Sequence, residues 1–116
     1  MLATKIFTFD SAHQLKDYNG QCANLHGHTY ILHVTVKGEI KADGLVIDFA
    51  VIKKIVKKQI MESLDHKYLN DIISQPSAEN IAVWIWNRLD KKMPLYEIKL
   101  WETPTSYVTY QGEENV

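Results

Sequence analysis

The segment His26-Gly27-His28 constrains this chain more than any other part of it. In an extended strand, two histidines one residue apart project from the same face, roughly 6.5–7 Å apart along the chain. That separation suits two imidazoles converging on one ion. His13 lies upstream on a segment where Phe7, Phe9, Ser11 and His13 share one face of a strand. A third imidazole from that neighbouring strand completes a three-histidine site with one position left open. For zinc, that is the catalytic arrangement; structural sites are closed. Cys22 is close enough in sequence either to act as a nucleophile beside the ion or to close the site as a fourth ligand. Local sequence leaves both open. His33 falls on the opposite face from His26 and His28 and is excluded as a ligand unless the strand bulges.

The rest of the chain alternates strand and helix signals. Ile6-Phe7-Thr8-Phe9 and the residues after them read as a first strand, and residues 29–40, rich in Val, Thr, Ile and Tyr, as a second. Asp43-Gly44 stops the second strand. Asp48 is a helix cap, and Phe49, Ile52, Val56 and Ile60 form the apolar stripe of a helix running to about Leu64. Lys54, Lys57 and Lys58 take its solvated side. A loop over 65–70 follows. Pro76-Ser77 opens a second helix capped by Ser77, with Ile81, Ile85 and Leu89 as its stripe. Two closing strands, about 95–102 and 105–111, flank the Thr103-Pro104 bend. The order ββααββ predicts an α+β domain: a four-stranded antiparallel sheet with both helices on one face. Exposed edge strands would be satisfied by self-association, so a symmetric homo-oligomer is expected.

Composition narrows the function classes. The chain has 116 residues, enough for one domain, residues 1–116. Thirteen basic against fourteen acidic side chains leave a net charge of −1, and no basic stripe interleaves with aromatics, so nucleic acid is not an expected partner. No apolar run approaches the ~20 residues needed to cross a bilayer. The single cysteine excludes an intrachain disulfide and fits a reducing interior. Met1 to Phe9 alternates instead of forming an apolar leader, and the expected location is the cytoplasm.

Two further positions carry chemistry. Asp65-His66 follows the first helix in an irregular segment, where the carboxylate could hold one imidazole tautomer; the plainer alternative is a local cap beside a surface ring. In the third long strand Tyr96, Ile98, Leu100 and Glu102 share a face, which carries a carboxylate onto the apolar side. A guest offering two adjacent N–H groups would satisfy it. If the strand ends at Trp101, Glu102 is simply exposed.

Several words, in order, resemble one family. They are Ser11-Ala12-His13, Cys22 to His28, Gly44-Leu45-Val46-Ile47-Asp48-Phe49, Leu64-Asp65-His66 with Leu69-Asn70, Pro76-Ser77-Ala78-Glu79-Asn80, and Trp101-Glu102-Thr103-Pro104-Thr105-Ser106. Together they are similar to the 6-pyruvoyltetrahydropterin synthase / 6-carboxytetrahydropterin synthase family. The resemblance implies that His13, His26 and His28 bind Zn2+ and that Cys22, Asp65 and His66 are catalytic. It implies that Glu102 anchors the amino-pyrimidine edge of a pterin, with Ser77 and Phe49 also in the substrate-binding set. It implies the tunnelling fold, a barrel closed between subunits, and a hexamer built as a dimer of trimers. The three residues between Cys22 and His26 resemble the bacterial, queuosine-pathway branch, which converts 7,8-dihydroneopterin triphosphate to 6-carboxy-5,6,7,8-tetrahydropterin, acetaldehyde and triphosphate. The alternatives are a 6-pyruvoyltetrahydropterin synthase, another pterin side-chain lyase, or a non-catalytic zinc-stabilised assembly protein. Ser77, Leu45 and Ser11 stand where threonine, methionine and alanine are common in the family.

Overall fold

The computed structural model describes residues 1–16, 20 and 23–113. Two long strands, β1 (Leu2–His13) and β2 (His26–Lys37), pair antiparallel along their whole length, from Leu2 opposite Lys37 to His13 opposite His26. A helical rod follows: α1 (Phe49–Val56), a π-helical segment (Lys57–Met61) and α2 (Glu62–Leu64). Next come β3 (Lys67–Tyr68), a 3-10 turn (Leu69–Asp71), α3 (Ala78–Leu89), β4 (Leu95–Thr103) and β5 (Ser106–Tyr110).

The α+β class and the helix assignments agree with the sequence reading. Asp48 caps α1 by accepting the Ala50 N–H at 2.8 Å, and Ser77 caps α3 by accepting the Asn80 N–H at 3.2 Å. Ile52, Val56, Ile60 and Leu64 are fully buried. Steps of four residues overrun the 3.6-residue turn by ~40° each. The wider π turn reverses that drift and keeps Ile60 and Leu64 on the core side. Arg88 of α3 donates from Nε to the Gln59 carbonyl within the π segment, at 3.2 Å.

Three expectations need correction. The sheet is not four-stranded and antiparallel: it has five strands in the order β3-β1-β2-β4-β5, and β3 runs parallel to β1. The segment read as a loop over 65–70 supplies that strand. Asp65 Oδ1 accepts the Asp10 N–H at 3.0 Å and the His66 N–H donates to the Asp10 carbonyl at 2.6 Å, laying the chain along the free edge of β1. A pair of residues is too short to show any periodicity. The second strand starts at His26 and ends at Lys37, three residues earlier at each end than its β-branched run suggested. Phe49 leaves the expected stripe: as the first residue of α1 it is 51% exposed, bordering Thr4, Lys5 and Ile6 of β1.

The helices pack on one face of the sheet, over Phe9, Tyr30, Leu32, Val34, Ile98 and Leu100. The opposite face carries Leu2, Thr4, Ile6, Thr8 and Asp10 of β1, all exposed, with His33 and Thr35 of β2 and Lys99 and Trp101 of β4. Among the described residues no helix is long and apolar enough to cross a membrane.

Candidate metal centre and active site

The β1–β2 register creates the site. His13 lies directly opposite His26, and His28, opposite Ser11, points to the same helix-covered face. Beyond Tyr30 that face carries the three rings, with the end of α2 at Leu64 bonded to Ser11 and the residues leading into α3 bonded to His13. The ring centroids are 4.5, 4.8 and 5.1 Å apart.

Hydrogen bonding fixes two of the rings. His13 Nδ1 lies 2.7 Å from the Pro76 carbonyl, and His26 Nδ1 lies 2.6 Å from the Asn24 carbonyl. A carbonyl only accepts, so each Nδ1 carries the proton, and in the neutral form that a metal binds each ring presents a bare Nε2. Those two Nε2 atoms are 3.0 Å apart. Two lone pairs at that distance repel unless a cation lies between them. A divalent ion with bonds of about 2.0–2.1 Å would set them roughly 3.3 Å apart. His28 Nε2 is buried and has no hydrogen-bond partner among the described residues. Glu102 Oε1 lies 3.5 Å from it, within ion-pair reach but too long for a good hydrogen bond. A buried polar atom left unpaired is costly and calls for a partner. Burial holds the His28 pKa below the usual imidazole range, with His13 and His26 pushing the same way and the Glu102 charge opposing them. The neutral ring is the form a metal needs. One atom from each of the three rings falls within 4.8 Å of the others, and the donor set fits zinc or another imidazole-binding divalent ion. Beneath them, Tyr30 stacks on Phe9 and its hydroxyl lies 3.4 Å from His13 Nδ1. Burial raises its pKa, so the phenol stays protonated.

Glu102 lies on the face with Ile98 and Leu100, as alternation requires. It also lines a cavity of about 200 Å³ with Ala78, Glu79, Ser106, Tyr107 and Val108, beside the N-terminus of α3 that Ser77 caps.

Asp65 and His66 form a separate cluster. His66 Nδ1 is 3.0 Å from Asp65 Oδ1, so Nδ1–H donates and Nε2 is free. His66 adopts a left-handed backbone, φ 58°, a conformation in which histidine is enriched. The Asp10 N–H, and then the His66 ring, hold the Asp65 carboxyl below its ordinary range. The Thr29 hydroxyl in turn donates to Asp10 Oδ1 at 2.5 Å. His66 and His28 both line a groove of about 620 Å³ with Asp10, Thr29 and Tyr68.

Of the residues expected at the site, His13, His26, His28 and Glu102 come together. Asp65 and His66 stand as a separate pair, with His66 lining the same groove as His28. Ser77 serves as a cap beside the Glu102 cavity. Phe49 is apart from all of them, bordering Thr4, Lys5 and Ile6 toward the far end of β1. Cys22 lies outside the described residues. Asp10 and Thr29, which hold the Asp65–His66 pair, escaped the sequence reading. Their only signal was a carboxylate and a hydroxyl on the solvent faces of β1 and β2.

The fold and the three-imidazole cluster define an α+β protein with a candidate metal centre. The chain belongs to the 6-pyruvoyl tetrahydropterin synthase family, whose profile matches residues 3–113. It is 38% identical to the 6-carboxy-5,6,7,8-tetrahydropterin synthase of Haemophilus influenzae, over 93% of this chain and 96% of that one. It is 46% identical to the dihydroneopterin monophosphate aldolase of Pyrococcus furiosus, over 82% and 83% of the two chains. The structure of Caenorhabditis elegans 6-pyruvoyl tetrahydropterin synthase superposes with a TM-score of 0.88, at 27% identity, covering 97% of this chain and 96% of that one.

Proposed function

We propose that this chain is a zinc-dependent 6-carboxy-5,6,7,8-tetrahydropterin synthase. It would convert 7,8-dihydroneopterin triphosphate and one water to 6-carboxytetrahydropterin, acetaldehyde and triphosphate, a step of queuosine (7-deazaguanine) biosynthesis. The observation that carries the reading is the partnerless Nε2 of His28 beside the half-buried Glu102 carboxylate. One corner wants a cation and the adjoining one wants an N–H-rich guest. The Haemophilus influenzae relative and the three-residue spacing from Cys22 to His26 support this branch.

His13, His26 and His28 would hold the ion, which when bound supplies Lewis acidity to the guest's side-chain hydroxyls. Glu102 accepts two N–H groups from the ring edge and fixes which carbons meet the acid–base groups. Cys22 acts as the thiolate that moves a proton on the side chain. His66, oriented through Nδ1 by Asp65, exchanges a proton at its free Nε2 and serves as the second acid–base group. The exposed edges β3 and β5 and the uncovered sheet face favour closure with further copies, so that active sites form between subunits of a closed homo-oligomer.

A second reading rests on the Pyrococcus furiosus relative: cleavage of the dihydroneopterin side chain to 6-hydroxymethyl-dihydropterin. Incubation of the zinc-loaded protein with 7,8-dihydroneopterin triphosphate, followed by mass identification of products, tests both. The proposal expects 6-carboxytetrahydropterin with acetaldehyde. A 6-hydroxymethyl or 6-pyruvoyl product, or an unchanged substrate, contradicts it.

A further inference from the structure

Glu102 has two surroundings and no firm partner in either. Its side chain is 23% exposed, and no hydrogen bond to it is found among the described residues. On one side Oε1 sits 3.5 Å from His28 Nε2, itself buried and unpaired. On the other, the residue lines the 200 Å³ cavity with Ala78, Ser106 and Tyr107. A carboxylate only 23% exposed and without donors is unfavourable, and an adjoining cation would compensate it.

We infer that Glu102 belongs to the metal site as well as to the guest site. Its carboxylate stabilises the ion held by His13, His26 and His28 while the cavity is empty, and turns away from that ion to receive the N–H edge of an incoming ring. The inference rests on the metal reading above and adds a linkage between the two sites. Two positions for one carboxylate make occupancy of the cavity and affinity for the ion compete. Linkage then requires each ligand to weaken the other by the same factor. Glu102 sits where the ladder is irregular, the pairing with β5 shifting register between Trp101 and Thr103, and such bulges re-aim side chains.

The test measures zinc affinity by competition with a chromogenic chelator in the wild type, Glu102→Gln and Glu97→Gln. Glu97 lies on the same strand but on the opposite face, where it accepts from Gln111 Nε2 at 2.8 Å, and its replacement controls for net charge. Glu102→Gln should weaken zinc by about 10- to 100-fold, the range typical of outer-shell partners of a metal site, and Glu97→Gln should bind as the wild type does. In the wild type, unsubstituted pterin, which lacks the side-chain hydroxyls, should bind more weakly with zinc than without it, and should weaken zinc equally. This arm needs no variant and survives any folding defect. Unchanged zinc affinity in Glu102→Gln, or independent binding of pterin and zinc to the wild type, overturns the inference. Turnover is scored separately. Zinc weakened by Glu102→Gln without pterin turnover leaves the inference standing and removes the proposed reaction; turnover with unchanged zinc affinity does the reverse.

Discussion

At His13 and His26 the main-chain carbonyls of Pro76 and Asn24 decide the chemistry, because each fixes the proton on Nδ1 and turns a bare Nε2 toward its neighbour. The three imidazoles were legible in the sequence because strand alternation is a strict geometric rule. The carbonyls were not, since any residue could supply them: Pro76 arrives from the far end of the chain by folding alone. Cys22 is placed at the reaction by sequence resemblance. Replacing it separates its two candidate roles. Cys22→Ala should retain zinc and lose turnover, whereas His26→Ala should lose both, as read by metal analysis alongside product formation. If Cys22→Ala loses the metal, the thiol is a ligand and the open corner does not exist.

Elements meet at the junction where the helical rod ends. Ser11 Oγ donates to the Leu64 carbonyl, and Asp65 and His66 clasp both main-chain groups of Asp10, so α2, β1 and β3 are joined in three residues. Helices and long strands were legible here through periodic stripes and caps. The junction was not, because it depends on backbone groups and a single parallel rung pair. Asp65 has its carboxyl held below the ordinary range by the Asp10 N–H first and His66 next. A depressed folded value means that its contribution is present above the unfolded pKa of about 3.9 and is lost as pH falls through the folded one. Above about pH 5 the contribution of Asp65 ionisation is therefore fully present. Asp65→Asn retains an oxygen for the Asp10 N–H but gives up the charge that orients His66. The expected result at neutral pH is a melting temperature within a few degrees of the wild type and turnover reduced by about 10²-fold or more. Unreduced turnover would remove the pair from the chemistry.

Across the whole molecule, one sheet face is sealed by helices and the other presents Leu2 and Ile6, 51% and 57% exposed, between two unpaired edges. Antiparallel alternation made the sealed face legible. The fifth strand changes which edge is free, moving it from β1 to the short β3. With so small an edge strand, the edge of β1 before Asp10 has no strand partner among the described residues and is available to another copy. The Asp65–His66 pair stands apart from the imidazole cluster with His66 77% exposed, which fits a site that neighbouring subunits complete. Native mass spectrometry of the purified, zinc-supplemented protein counts chains and ions together. The account predicts a closed homo-oligomer carrying one ion per chain, with the ions absent from the His26→Ala protein. A wild-type species that holds no metal under these conditions would contradict it.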